Sequence, residues 1–205
     1  MWFRSAVNVT QMAAIEKMLK EMQGSCDAAA RVVAAVRERV EVVARIAEAV
    51  IRSLSGGGKV MTCGNGGSAA EALHLAEELV GRFQAKRRAL PAICLAADAT
   101  ALTCIANDYE YAEVFARQVE AHGRPGDVLA ALSSSGRSES VVRALERARK
   151  MGVTTVGLLG PPGSPAEAMC DHVVMLDGHV AARVQEAHLL VIHLLLEQID
   201  RAFSK

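Results

Sequence analysis

The sequence predicts an α/β fold: a three-layer α/β/α sandwich around a five-stranded parallel sheet. Short apolar runs alternate with amphipathic helical patterns, and the connections between them are short. Such alternation is typical of parallel sheets built from βαβ units. In addition, two turns rich in glycine or serine each follow a predicted strand, and sheets of this class bind ligands at the carboxyl ends of their strands. We expect a single domain over residues 1–205.

Composition excludes several classes of protein. The 205 residues include 23 Lys plus Arg and 23 Asp plus Glu, so no field of one sign attracts nucleic acid or an anionic membrane. The N-terminus has no long apolar run, so we expect neither a signal peptide nor a membrane span. An odd number of scattered cysteines without a CxxC motif predicts reduced thiols in a cytoplasmic protein, each thiol a small core residue. The five are Cys26, Cys63, Cys94, Cys104 and Cys170.

The N-terminal quarter of the chain reads as two helices, about 9–22 and 26–54. Apolar residues recur in the second helix at close to the 3.6-residue period, and the glycines of 56–58 follow its end. We expect a helical hairpin within residues 1–57 that packs against the core or against another subunit. A long amphipathic hairpin with few aromatic residues favours a subunit interface.

The first glycine-rich turn follows a short predicted strand, Val60–Cys63, and spans Gly64–Ser68. A helix is expected from Ala69, with Ser68 as its N-cap. Glycines allow the backbone to approach a ligand, and the free amides of a helix start attract anions. A tight connection without a ligand explains this turn about equally well.

The second turn, Ser133–Ser138, follows a predicted strand at 127–132 and precedes a helix that runs through Lys150. Four hydroxyls and several free amides can converge there, which suits the oxygens of a phosphate. A serine-rich loop with an N-cap accounts for one serine well and for four poorly. Phosphate binding is therefore the favoured interpretation.

The helix predicted at 69–83 carries His74 and Glu78 four residues apart, hence on one face, with Glu71 and Glu77 nearby. A His/Glu pair at this spacing can supply two metal ligands. A solvated polar face is the commoner explanation of such a pair.

The C-terminal helix, expected at 181–203, places Gln185, Leu189 and His193 on one slowly drifting ridge. A histidine among so many apolar residues is usually a core residue held by a hydrogen bond. A ligand role for His193 is the less common alternative from spacing alone.

The remaining elements complete the alternating pattern. The strands are expected at 91–96, 153–159 and 173–176, with helices at 113–122 and before Met169.

Four segments together resemble the SIS (sugar isomerase) domain family, whose fold is flavodoxin-like: CGNGGSAAEALHLAEELVGRF, IANDY, LSSSGRS and QEAHLLVIH. Within that family they are most similar to the members that isomerise sedoheptulose 7-phosphate in bacterial heptose synthesis. The resemblance runs from about Val43 to the C-terminus. It implies an aldose–ketose isomerase that forms homotetramers, with active sites at subunit junctions.

The resemblance also implies roles for particular residues. The implied substrate-binding residues are Asn65, Gly66, Gly67, Ser68, Glu78, Asn107, Asp108, Ser133, Ser134, Ser135, Ser138 and Gln185. The implied ligands of one zinc ion per subunit are His74, Glu78, Gln185 and His193. Glu78 is the expected base and His193 the expected acid of proton transfer through an enediol. A carboxylate held tightly by zinc is a poorer base, so the two roles of Glu78 are in tension.

Three positions depart from the family pattern. Ala182 replaces an aspartate, Arg137 a small polar residue and Ser134 a threonine. The first change removes a polar contact to the sugar, and Arg137 adds a cation that favours phosphate or an acidic substrate.

Three alternatives remain open at the level of sequence. One is a noncatalytic SIS-domain adaptor that binds the replication initiator DnaA; that branch lacks counterparts of Glu78 and His193, which are both present here. The second is a phosphosugar sensor, although no DNA-binding module accompanies the domain. The third is an isomerase for a different sugar.

Overall fold

The computed structural model describes residues 9–204, and its centre is a five-stranded sheet. All neighbouring strands are parallel, in the order β2-β1-β3-β4-β5. The strands are β1 (Val60–Gly64), β2 (Ala92–Cys94), β3 (Val128–Ser133), β4 (Thr154–Leu159) and β5 (His172–Met175). This is the strand order of flavodoxin-like sheets.

Seven α-helices accompany the sheet within the described residues: α1 (Val9–Ala35), α2 (Val40–Ser55), α3 (Gly67–Val80), α4 (Ala99–Asp108), α5 (Ala116–His122), α6 (Glu139–Lys150) and α7 (Ala181–Phe203). Single turns of 3₁₀ helix lie at Val36–Arg39, Tyr111–Glu113 and Glu167–Met169. None of the helices in this part of the chain is long and apolar enough to cross a bilayer.

Two separate apolar cores confirm the three-layer architecture. Successive residues of β3 point to opposite faces: Ala130 and Leu132 pack with α2, α3 and α7, whereas Leu129 and Ala131 pack with α5 and α6. Because both faces are covered, β1 and β3 are buried along their whole length.

The site is positioned by the reversal of strand order beside β1. From β1 the chain goes outward to β2 and then returns to β3 on the other side, so β1 and β3 are neighbours. Gly64, at the end of β1, lies opposite Leu132 of β3. The two turns predicted to bind a ligand therefore leave the same edge of the sheet at adjacent strands, where ligands bind in open α/β sheets.

The N-terminal helices are present, but the boundary between them is not where the sequence pattern placed it. Gly24 lies inside α1, in open space and without a positive φ, so it does not end the helix. A glycine within a helix costs about 1 kcal/mol relative to alanine and is compatible with continuation. The break falls instead at Val36–Arg39. The expectations for residues 1–8 lie outside the described part of the chain.

Smaller differences concern element ends and thiols. β2 has three residues instead of the six expected, and α7 matches its expected bounds. All five cysteines are free thiols, and Cys63 and Cys94 are buried as predicted. The prediction was wrong for Cys26 and Cys104, which are exposed on helices. Burial raises the pKa of Cys63 far above its ordinary value, so this thiol is inert.

Candidate active site

The turn after β1 is built on Gly66, which has φ 55° and ψ −123° and is the N-cap of α3. Residues other than glycine rarely adopt this conformation. The helix therefore starts at Gly67, two residues earlier than expected. Ser68 is a buried first-turn residue whose amide donates to the Asn65 carbonyl (3.0 Å), so its prediction as N-cap was wrong.

The serine loop after β3 uses two of its hydroxyls to fix its own shape. The Ser133 hydroxyl accepts from the Gly136 amide at 3.0 Å, and that of Ser135 accepts from the Arg137 amide at 3.2 Å. Ser138 is the N-cap of α6, yet its side chain makes no capping hydrogen bond. Its hydroxyl and the free amides of the first turn of α6 thus remain available to an anion.

Two glycines pack so closely against neighbouring residues that they restrict the backbone of this loop. A Cβ atom added to Gly160 would lie 1.8 Å from the Ser134 carbonyl oxygen. One added to Gly136, where φ is 62°, would lie 2.1 Å from the Ser164 hydroxyl. Since nothing larger than glycine fits at either position, these glycines set the path of the serine loop.

Asn65 joins the glycine turn to the helix after the serine loop. Its Nδ2 donates to the Ser140 hydroxyl (3.0 Å), and its Oδ1 accepts from the Tyr111 hydroxyl (2.7 Å). These residues border a cavity of about 410 Å³. The cavity is lined by Asn65, Glu110, Tyr111, Ala112, Ser138, Glu139 and Ser140. Asn65 and Ser138, two of the predicted substrate-binding residues, therefore face one space.

Gln185 of α7 packs directly on the start of α3. A Cβ atom at Gly67 would lie 2.5 Å from the Gln185 Nε2 atom and 2.7 Å from its Oε1 atom. The carboxamide thus occupies the space that any other residue at 67 would fill. This contact brings a residue 118 positions away in sequence onto the glycine turn.

His74 and His193 meet across α3 and α7. Their Nε2 atoms are 3.2 Å apart, and the Phe83 ring stacks on His193 with 5.3 Å between ring centres. His193 is half-buried, and its Nε2 atom lies within hydrogen-bond distance of the other imidazole. This contact is compatible both with a histidine held by a hydrogen bond and with a ligand role.

The geometry of this pair fits a zinc ion. The His74 Nδ1 atom lies 3.1 Å from the Glu77 carboxylate. If Nδ1 carries the proton that bonds to Glu77, the lone pair of His74 Nε2 points toward His193. Two imidazole nitrogens bound to one tetrahedral zinc are about 3.3 Å apart, close to the observed spacing. Ligand atoms of His74, Glu77 and Glu78 also lie within 4.8 Å of one another. Glu78 thus adjoins a histidine that touches His193.

Glu71 has a conspicuous environment on α3, between Gly67 and His74. Both of its carboxylate oxygens are buried without a hydrogen-bond partner in the described residues. Burial raises the pKa of Glu71 from 4.5 to about 8, although the nearby Ser68 hydroxyl lowers it. This side chain is therefore largely protonated at neutral pH.

Arg87 and Asp200 clamp the far ends of α3 and α7. The fully buried Arg87 guanidinium donates to the Glu78 carbonyl (2.7 Å), the Leu79 carbonyl (3.0 Å) and the Asp200 carboxylate (2.7 Å). Burial opposes ionisation of Asp200, but the Ala85 and Gln84 amides and Arg87 together lower its pKa. The pair fixes the spacing of the helices that carry Glu78 and His193.

Two predicted substrate residues are not joined to the others. The exposed Asn107 side chain donates to the Asp108 carboxylate (2.9 Å), which also accepts from the Cys104 thiol (3.5 Å). Within residues 9–204, neither side chain bonds to any other predicted site residue. The chain just after them reaches the site through Tyr111. Of the substituted positions, Arg137 is exposed within the serine loop, and Ala182 is half-buried in the first turn of α7.

Sequence reasoning missed several residues that complete the site. Tyr111 and Ser140 hold Asn65, Glu77 holds His74, and Phe83 stacks on His193. The sequence placed Glu77 near the pair, but gave no signal that it bonds to His74. The other contacts join distant parts of the chain, and no spacing pattern could reveal them.

Comparisons with known proteins identify a family, similar sequences and similar solved structures. The model of the SIS domain family matches residues 24–160. The phosphoheptose isomerase of Nitratiruptor sp. is 50% identical over 153 residues, covering 75% of this chain and 82% of that protein. That of Roseiflexus sp. is 43% identical over 184 residues, covering 90% and 92%. The solved structure of the Neisseria gonorrhoeae phosphoheptose isomerase superposes with a TM-score of 0.81 at 36% identity, covering 92% and 99%.

Proposed function

Because the chain belongs to the SIS domain family and, within it, to the phosphoheptose isomerases, we propose that it converts sedoheptulose 7-phosphate to D-glycero-D-manno-heptose 7-phosphate. The observation that carries this proposal is the meeting of α3 and α7. It places His74 beside His193 at 3.2 Å, Gln185 against Gly67, and Glu78 one turn beyond His74. The two candidate proton-transfer groups, Glu78 and His193, thus come from helices that meet at His74.

Conversion of a ketose to an aldose moves one proton between neighbouring carbons. The Glu78 carboxylate removes a proton from C1, and the C1–H electrons form the C1–C2 double bond of an enediol. His193 protonates the former carbonyl oxygen at C2. Return of a proton to C2, with loss of the C1 hydroxyl proton, gives the aldehyde. Such acid–base groups each contribute about 10²- to 10⁴-fold to rate.

His74, Glu78, Gln185 and His193 are the residues that would hold a zinc ion. A zinc ion bound there supplies Lewis-acid polarisation of the substrate carbonyl. In the tautomer with a proton on Nδ1, His74 donates a hydrogen bond to the Glu77 carboxylate, and the lone pair of its Nε2 atom points toward His193. Glu78 would be a ligand of such an ion as well as the base of proton transfer, and a carboxylate that is free of the metal is the stronger base.

The serine loop and the glycine turn bind the phosphate, away from the reacting carbons. Ser138 and the free amides of α6 face the same cavity as Asn65. The binding energy of the phosphate, which is distant from the reacting carbons, positions C1 and C2 of the sugar for Glu78 and His193.

We also propose that the chain forms a homotetramer, with α1 as part of the subunit contact. Residues 11–22 are all exposed, and Met12, Ile15, Leu19 and Met22 expose between 42% and 65% of their surface. Their spacing of three, four and three residues is that of a coiled-coil seam. A second copy is the natural cover for such a stripe, and light scattering of a Leu19→Glu variant tests this contact.

A reducing compartment suits the five free thiols, two of which are exposed. A cytoplasmic location agrees with this chemistry.

The noncatalytic alternatives predict different chemistry at the same residues. An adaptor for DnaA or a phosphosugar sensor has no need of a carboxylate and two imidazoles beside the sugar site. Incubation of the purified protein with sedoheptulose 7-phosphate, with and without zinc, tests the proposal directly. Formation of heptose 7-phosphate supports it. Binding of the sugar without any conversion contradicts it and favours a sensor.

A further inference from the structure

The contacts of Asn65 single out a residue that no sequence motif marked. The Tyr111 phenol comes from the 3₁₀ turn Tyr111–Glu113, which precedes α5, and reaches back 46 positions to the Asn65 carboxamide. Their oxygens are 2.7 Å apart. From these contacts we propose that Tyr111 is a positioning residue for substrate binding: it fixes the orientation in which Asn65 meets the sugar phosphate. This inference rests on the proposed function.

The two hydrogen bonds of Asn65 require a single orientation of its amide. The Ser140 hydroxyl contacts the Nδ2 atom of the carboxamide, and the Tyr111 hydroxyl contacts its Oδ1 atom. With Nδ2 donating to Ser140, the Oδ1 atom accepts the phenolic proton of Tyr111. One Nδ2 proton and one Oδ1 lone pair are then left for substrate. Without Tyr111, the amide rotates more freely, and substrate binding must order it.

Tyr111 is itself held in place by a charged clamp. Arg143 of α6 forms ion pairs with Glu110, Glu113 and Glu139. Glu110 and Glu113 flank Tyr111 on both sides, and Glu139 lies in the first turn of α6. The clamp therefore ties the segment with Tyr111 to the helix start that carries Ser138. Surface ion pairs are weak singly, but three on one guanidinium form a network.

Tyr111 and Asn65 border the same cavity, which links their contact to substrate binding. Asn65, Tyr111, Ser138 and Ser140 all line the same space of about 410 Å³. An orientation fixed before the ligand arrives removes part of the entropy lost on binding. The gain is realised equally in the ground state and the transition state, so it lowers KM and leaves kcat unchanged.

Tyr111→Phe removes only the hydroxyl, and Tyr109→Phe provides a matched control. Tyr109 lies two residues earlier, and its ring packs on the Arg117 guanidinium at 3.8 Å, a contact that phenylalanine keeps. Loss of one net hydrogen bond corresponds to about a fivefold change in an equilibrium. With sedoheptulose 7-phosphate, we expect Tyr111→Phe to raise KM about fivefold with kcat within about twofold of wild type. Tyr109→Phe should match wild type.

A double-mutant cycle with Asn65→Ala tests whether Tyr111 acts through Asn65. The proposal predicts that Tyr111→Phe has no further effect on KM once Asn65 is alanine. An equal effect in both backgrounds overturns it, as does an unchanged KM in Tyr111→Phe alone. Ser140→Ala, which removes the other partner of Asn65, should also raise KM and serves if Tyr111→Phe is unstable.

A readout without substrate separates this inference from the proposed function. The side-chain amide signals of Asn65 in a ¹⁵N-correlated NMR spectrum are assigned by their loss in Asn65→Ala. They should shift in Tyr111→Phe and stay in place in Tyr109→Phe. If wild type leaves sedoheptulose 7-phosphate unchanged while these shifts occur, the substrate is wrong and the positioning contact stands. Signals that are unmoved in Tyr111→Phe overturn the contact itself.

Discussion

Glutamine in place of Glu71 should change how the stability of the protein depends on pH. The pKa of this buried carboxyl is about 8 in the folded protein against 4.5 ordinarily. Between these values the folded state holds a proton that the unfolded state has lost. The free energy of unfolding therefore falls as pH rises through this window. Glutamine has the shape of the protonated acid and does not titrate, so the variant lacks this fall.

The magnitude follows from the difference in pKa. A rise from 4.5 to about 8 corresponds to about 5 kcal/mol as an upper limit. Because the residue is only half-buried, solvent screening reduces this, and we expect about 2–3 kcal/mol. Wild type and Glu71→Gln should be about equally stable at pH 5, and the variant should be more stable by about this amount at pH 8.

Urea unfolding followed by circular dichroism, in chelator and at fixed protein concentration, measures the difference at pH 5, 6, 7 and 8. His188 also titrates, since burial lowers its pKa from 6.5 to about 4, so it destabilises both proteins as pH falls below 6.5. This effect cancels in the difference. Glu48→Gln, in an exposed pair with Arg52, is the control and should change stability by under about 0.5 kcal/mol at every pH. If the difference between Glu71→Gln and wild type is constant with pH, the pKa of Glu71 is not raised in the folded protein.

Three further variants probe the frame of the site. Asp200→Ala leaves the buried Arg87 guanidinium without its carboxylate partner and should destabilise the protein by about 3–5 kcal/mol in urea unfolding. A loss below about 1 kcal/mol would show that the Arg87–Asp200 pair does not hold α3 and α7 together. Gly160→Ala places a Cβ against the Ser134 carbonyl. It should weaken binding of sedoheptulose 7-phosphate at least tenfold by calorimetry, and wild-type affinity would show that the loop path is unimportant. Gly67→Ala should retain stability within about 1 kcal/mol, because alanine favours helix and Gln185 is flexible. It should still lower zinc affinity by displacing that carboxamide, and unchanged zinc affinity would exclude Gln185 as a ligand.

The sequence predicted most of the fold because the signals were local. Glycine and serine residues after apolar runs indicated both turns. The 3.6-residue spacing of apolar residues indicated the helices that carry His74 and His193. The boundary near Gly24 was wrong because one glycine in a helix interior costs only about 1 kcal/mol, which does not by itself end a helix. Ser68 was misplaced because Gly66 can adopt a positive φ and take the cap position itself.

The site was predictable to the extent that it uses helical spacing. His74 and Glu78 share a face by geometry, but the meeting of His74 with His193 depends on the packing of α3 on α7. The Tyr111–Asn65 contact joins residues 46 positions apart through an irregular segment, for which no periodic pattern exists. The burial of the Glu71 carboxylate likewise arises from tertiary packing, and the amphipathic pattern of the helix sequence does not predict it.

We propose that Glu78 and His193 act together on one sugar phosphate. The most direct measurement is the turnover of sedoheptulose 7-phosphate by Glu78→Gln, with binding of the same sugar measured by calorimetry. We predict that kcat falls at least about 10²-fold while the dissociation constant stays within about tenfold of wild type. A variant that binds the sugar and keeps more than a tenth of wild-type kcat would contradict the account.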